Sequence, residues 1–152
     1  MTLTAKETML LKDMKDSEKL CIDKYERGSA SAADAQLKNL FTTLAAKERT
    51  HLDTLTKIEQ NGTYPAPEKA PEEPLLSFQA TYSAGDTSAN AKNDAYLCSD
   101  ALSGEKHVAA LYNTAIFEFK DTGARAALAH IATEEQQHGK MIYDYMSTNG
   151  MY

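Results

Sequence analysis

Apolar positions recur along this chain at alternating steps of three and four residues, the period that keeps side chains facing the centre of a helical bundle. The first stripe is Leu11, Met14, Glu18, Cys21 and Tyr25. The second is Leu37, Phe41, Leu44, Glu48, His51, Leu55 and Ile58. A third runs through Cys98, Ala101, Glu105, Val108, Tyr112, Ala115 and Phe119, and a fourth through Ala124, Leu128, Ile131, Glu135, His138, Ile142 and Tyr145. Breakers separate the four. Thr4 with Glu7 makes a capping-box start, and Gly28 interrupts the first pattern. The second begins near Ser31 or Asp34 and closes on Asn61-Gly62, a pair suited to a helix end. The pattern predicts helices over about 5–28, 32–60, 88–120 and 123–147, forming one all-α four-helix bundle over residues 1–152.

Between the second and third stripes lie all four prolines, Pro65, Pro67, Pro71 and Pro74, so residues of about 62–86 cannot form a continuous helix. A connection this long needs a reason. If the second and third helices run parallel, the chain must travel the bundle's full length, roughly 38 Å for a helix of about 25 residues. Extended chain, at about 3.3 Å per residue, covers that distance with slack. The expected topology is therefore two antiparallel helix hairpins joined by a long crossover. Leu75, Leu76 and Phe78 are the residues that could pack the crossover onto the bundle. The second half also repeats chemistry of the first at an offset of 87 residues, bringing Glu18 onto Glu105, Tyr25 onto Tyr112, Asp34 onto Asp121, Glu48 onto Glu135 and His51 onto His138.

Every stripe carries a Glu at mid-length, and no Lys or Arg interrupts any of them. Four carboxylates meeting in an apolar interior cost about several kcal/mol each unless something compensates. Two divalent cations balance the four charges, with two neutral imidazoles completing the coordination. Glu48-x-x-His51 and Glu135-x-x-His138 each place two ligands one turn apart on a single helix face. The candidate metal ligands are therefore Glu18, Glu48, His51, Glu105, Glu135 and His138. This is the donor set of ferritin-like dimetal carboxylate bundles. Tyr25 and Tyr112 lie two turns beyond Glu18 and Glu105 and are read as core filling ahead of hydrogen bonding to the ligands. His107 and His130 fall off the stripes and are expected at the surface, and Asp13, Asp16, Asp23 and Glu134 are expected as solvated charge.

Composition narrows the function. The net charge of −6 offers no basic surface for phosphates, which excludes a nucleic-acid role. No apolar run approaches the roughly 20 residues a membrane span needs. Cys21 and Cys98 form no C-x-x-C motif and read as reduced, packed thiols. The opening Met1-Thr-Leu-Thr-Ala-Lys-Glu7 passes directly into a charged helical pattern, which predicts a cytoplasmic location.

Two family resemblances follow from these residues. The run from Ala101-Leu-Ser-Gly-Glu105 through Thr133-Glu-Glu-Gln-Gln-His138 resembles rubrerythrin and its ferritin-like relatives. That resemblance implies a centre of two divalent transition metals, iron first and manganese or zinc as alternatives. It also implies an oxidase or peroxidase that uses oxygen or peroxide and an external electron donor, with a homodimer as one assembly. The chain departs from rubrerythrin in having Val108 where those proteins carry a further ligand Glu, and it lacks paired C-x-x-C motifs. Leu3-Thr-Ala-Lys, Leu37-Lys-Asn-Leu-Phe41 and His51-Leu-Asp-Thr-Leu55 resemble the spore coat protein F-like family of spore-forming bacteria. This second resemblance implies a structural bundle in the spore coat, partnered by other coat proteins, whose metal site is structural or vestigial.

Overall fold

The computed structural model describes residues 2–152 and contains, among them, four α-helices and no strand. These are α1 (Ala5–Ser31), α2 (Ala35–Asn61), α3 (Ala89–Ile116) and α4 (Thr122–Thr148). Each begins at a side-chain cap that satisfies otherwise orphaned backbone donors. Thr4 accepts from the Glu7 N–H, and the Glu7 carboxylate accepts from the Thr4 N–H at 2.6 Å, completing the capping box. Asp34, Ser88 and Asp121 accept from the N–H groups of Gln36, Ala91 and Ala124. At its other end α2 closes on Gly62, whose φ of 69° lies in the left-handed region.

Two helix ends differ from the sequence expectation. Gly28 does not stop α1, which continues to Ser31. A Cβ at Gly28 would lie 2.9 Å from Phe41 Cδ2, so the glycine serves close approach of α1 to α2 rather than chain reversal. Helix α3 stops at Ile116, short of Lys120. There the chain turns Phe119 into the core, and the Lys120 N–H donates to Glu7 Oε1 at 2.8 Å.

Helix α3 starts beside the α1–α2 turn, where the N–H groups of Ala33 and Asp34 donate to the Asp94 carboxylate at 2.8 and 2.9 Å. Helices α2 and α3 are therefore parallel, and the crossover runs the length of the bundle. One end is tied by the Tyr64 N–H to Asp121 at 3.2 Å. The other is tied by the N–H groups of Thr81 and Tyr82 to Asn149 Oδ1, and by the Tyr82 hydroxyl to Asp94 at 2.7 Å. Phe78 packs edge-on against Tyr145 with ring centroids 5.4 Å apart. Leu75 does not pack and is 99% exposed, and Leu76 is 45% exposed, on a stretch that stands off α2 and α4 over a cavity of about 820 Å³.

All residues of the four stripes are buried. The 87-residue offset also organises the ends of the bundle. Asp94 holds the Ala33 N–H at the α1–α2 turn, and Glu7 holds the Lys120 N–H at the α3–α4 turn, so acceptor and donor repeat together. No helix among the described residues is long and apolar enough to cross a membrane.

Burial alone would raise the Glu7 carboxyl, but the N–H groups of Thr4 and Lys120 outweigh it and hold it below the ordinary range. A lowered carboxyl stabilises above its unfolded value of 4.5 and loses that contribution as pH falls through the folded value. Glu7→Ala should therefore cost about 1 to 3 kcal/mol at pH 7, since it strands two backbone donors. The deficit should shrink at pH 3, and urea unfolding of both proteins at the two pH values measures it.

Candidate metal centre

Midway along the bundle each helix turns one Glu inward, and α2 and α4 add a His one turn later. All six side chains predicted as ligands meet: Glu18, Glu48, His51, Glu105, Glu135 and His138 are each no more than 2% exposed. They form two groups that share members. Glu18, Glu48, His51 and Glu135 make one, and Glu48, Glu105, Glu135 and His138 the other, each with donor atoms within 4.8 Å of one another. Glu48 and Glu135 thus stand between two positions, flanked by Glu18 and His51 on one side and Glu105 and His138 on the other.

Both imidazoles aim Nδ1 inward. His51 Nδ1 lies 2.9 Å from Glu48 and 3.1 Å from Glu135, and His138 Nδ1 lies 3.0 Å from Glu48 and 3.4 Å from Glu135. Their rings stack with centroids 5.7 Å apart. The tyrosines do more than fill the core. The Tyr25 hydroxyl donates to Glu105 and the Tyr112 hydroxyl to Glu18, so each reaches the carboxylate of the opposite half. Helices α1 and α3 run antiparallel with their glutamates staggered along the axis, so a residue two turns past one Glu arrives beside the other.

No Lys or Arg is buried among the described residues. Protons are then the only counter-charge the protein itself supplies. Burial, reinforced by Glu48, pushes Glu18 up to about 7. Burial and then Glu105 push Glu135 well above the carboxylate range. Burial would depress both histidines, but the surrounding carboxylates outweigh it and hold His51 and His138 well above the usual imidazole value. Glu48 alone goes the other way: burial would raise it, yet hydrogen bonds from the two histidines and Glu18 keep it far down. Three carboxylate oxygens, Glu18 Oε2, Glu105 Oε2 and Glu135 Oε2, are buried with no hydrogen-bond partner. Buried acceptors are normally paired, so these three fit a site shaped for cations. The donor set of four carboxylates and two imidazoles suits iron, manganese or zinc.

Glu134 is not the solvated charge that its off-stripe position predicts. Its carboxylate accepts from His51 Nε2 at 2.6 Å and is held from outside by Lys47 at 3.1 Å and His130 at 3.3 Å. Burial would raise it, but His51 and then Lys47 hold it down to about 2. The available signal was the doublet Glu134-Glu135 ahead of His138, whose first member faces the neighbouring helix. His130 is half-buried through this contact, whereas His107 is exposed as expected. Asp13, Asp16 and Asp23 are also exposed. Cys21 and Cys98 are free and buried; burial pushes both thiols up, Cys98 to about 12.

Residues 93–152 match the family model of the Coat F domain. The match takes in most of α3, all of α4 and the tail, and so contains Glu105, Glu135 and His138 but not Glu18, Glu48 or His51. The coat F-like resemblance quoted above for the first half thus has its counterpart in the second. No curated protein and no solved structure matches the chain.

Folding takes up protons at Glu18, Glu135, His51 and His138, whose raised values stabilise fully below their unfolded ones and cease to stabilise as pH rises through the folded ones. The opposing contribution of Glu48 falls away only below its unfolded 4.5. In excess chelator the melting temperature should therefore fall steadily from about pH 6 to pH 8.5, with Glu18 titrating inside that window. Thermal melts across the range test this, and a flat profile would show that the cluster is not linked to folding.

Proposed function

We propose that this protein is a coat-type helical module whose core holds two divalent transition metals. The observation that carries the metal reading is the pair of four-residue groups sharing Glu48 and Glu135, with three buried carboxylate oxygens left unpartnered. The match to the Coat F domain supports a structural place in the spore coat, among other coat proteins. In this reading the metals act as core fasteners. Each of the four helices contributes one carboxylate, so cations bound there tie all four together, and their binding free energy adds to that of folding. Glu48 and Glu135, common to both groups, would help hold both ions, with Glu18 and His51 holding one and Glu105 and His138 the other.

A second reading, reduction of oxygen or peroxide with electrons from an external donor, is favoured by one observation. Open space borders the cluster: the cavity under the crossover is lined in part by His138, a second crossover cavity by His51, and one of about 340 Å³ between α3 and α4 by Glu105 and Glu135. Redox-active ions held at this centre would supply the electron transfer and open coordination positions. The chain's own part would be to bind and orient them, with Tyr25 and Tyr112 donating to Glu105 and Glu18. Fe(II)-loaded protein treated with peroxide separates the readings: a rapid absorbance change with repeated turnover supports the enzyme, and inert metal supports the fastener.

Reconstitution with Fe(II) or Mn(II) should give about two metals per chain by elemental analysis. Glu18→Gln should leave one of the two, because it removes a closing ligand from one group only, whereas Glu48→Gln should weaken both. A wild-type stoichiometry near zero would defeat the metal reading. The gain in melting temperature on adding metal should grow from pH 6 to pH 8, since coordination requires proton release from His51, His138, Glu18 and Glu135.

A further inference from the structure

The two halves agree at nearly every position of the site. Glu18 and Glu105, Glu48 and Glu135, His51 and His138, and Tyr25 and Tyr112 all repeat at 87 residues and occupy corresponding places. A pair of opposite charge breaks the rule. Glu134, against the outer nitrogen of His51, corresponds to Lys47 in the other half. Lys47 cannot play the same part for His138, because an ammonium has no acceptor to offer an imidazole N–H. His138 Nε2 accordingly has no hydrogen-bond partner among the described residues, and the ring borders the cavity beneath the crossover.

A carboxylate on the outer nitrogen of a metal-binding histidine fixes the tautomer, aims the ring and makes the inner nitrogen a stronger donor. His51 has such a carboxylate at 2.6 Å, itself braced by Lys47 and His130. We infer that Glu134 is a positioning residue for His51, and that its replacement by Lys47 in the other half makes the two metal positions unequal, the one beside His51 filling first and the one beside His138 second. The inference rests on the dimetal reading above. It goes beyond that reading by assigning an order of binding and by naming the residue pair that sets it.

Anaerobic titration of the full chain with Co(II), followed by calorimetry and by the visible ligand-field band, tests the assignment. Wild type should bind two ions in separate steps. Glu134→Ala should weaken the first step about 10- to 100-fold, the usual effect of losing such a partner, and leave the second unchanged. The charge swap Lys47→Glu with Glu134→Lys keeps the ion pair between the two positions and guards against a folding defect in the single variant. It should move the tight step to His138. Adding His138→Ala to each background locates the steps: it should remove the weak one in the wild type and the tight one in the swap. Two equal steps in wild type, an unaltered first step in Glu134→Ala, or a tight step that stays with His51 after the swap would each overturn the inference. No Co(II) binding by wild type would instead overturn the dimetal reading on which it rests.

Discussion

Four carboxylates held together in a core with no buried Lys or Arg among the described residues constitute the constraint on which this structure depends. Buried charge of that kind is tolerable only when positive charge arrives with it, as protons or as cations. The rest of the site follows from that requirement. Both histidines turn Nδ1 toward the carboxylates, where either a proton or a metal ion can be held. Two tyrosine hydroxyls each satisfy one oxygen and leave a second unpartnered on the same group. Cys21, packed beside the cluster, has its thiol pushed up first by burial and then by the carboxylates, so it remains a neutral packing residue.

Convergence of six side chains from four helices demands that the helices keep register along their axes, because a shift of one residue rotates a ligand off the stripe. Register is set at the ends, where specific polar contacts are available. Asp94 on α3 grips the α1–α2 turn, and Glu7 on α1 grips the α3–α4 turn. Each contact spans the two hairpins, so the pair fixes one against the other at both ends of the bundle. Between those ends the apolar stripes supply non-directional cohesion, and the carboxylate–histidine cluster lies midway, where neither end can fray it.

The stripes were legible in the sequence because burial in a bundle is a property of each helix taken singly, and spacing of three and four reports it. For the same reason the convergence of Glu18, Glu48, His51, Glu105, Glu135 and His138 was legible from their mid-length places on those stripes. Glu134 was not. Its importance comes from His51 on a different helix, and the Glu134-Glu135 doublet within α4 marks a second acid without identifying that neighbour. The tyrosines were legible as buried, with hydrogen bonding to the carboxylates the second choice, and which half each would reach was not, because that depends on the antiparallel pairing of α1 with α3. Gly28 misled for a related reason: a glycine inside a helical pattern signals either an end or a close approach, and only the facing Phe41 decides between them. The crossover's length and direction followed from topology. Its apolar residues did not predict packing, since Phe78 finds Tyr145 while Leu75 faces solvent.

The Coat F match covers one hairpin and three of the six converging side chains. That hairpin cannot meet the electrostatic requirement alone, because α3 and α4 form one side of the bundle and leave Glu105, Glu135 and His138 uncovered. The cover must bring a matching stripe. Here α1 and α2 bring Glu18, Glu48 and His51 at the same offset, so that Tyr25 reaches Glu105 as Tyr112 reaches Glu18. Two copies of one hairpin about a twofold axis would satisfy the same charge balance, but symmetry would oblige every residue to appear twice in equivalent surroundings. Joining two hairpins in one chain through the crossover removes that obligation. Lys47 and Glu134 occupy equivalent places with opposite charge, and they pair with each other at 3.1 Å across α2 and α4. A symmetric pair would set like charges against each other there. The fused chain alone can make that contact favourable while giving His51 a partner that His138 lacks.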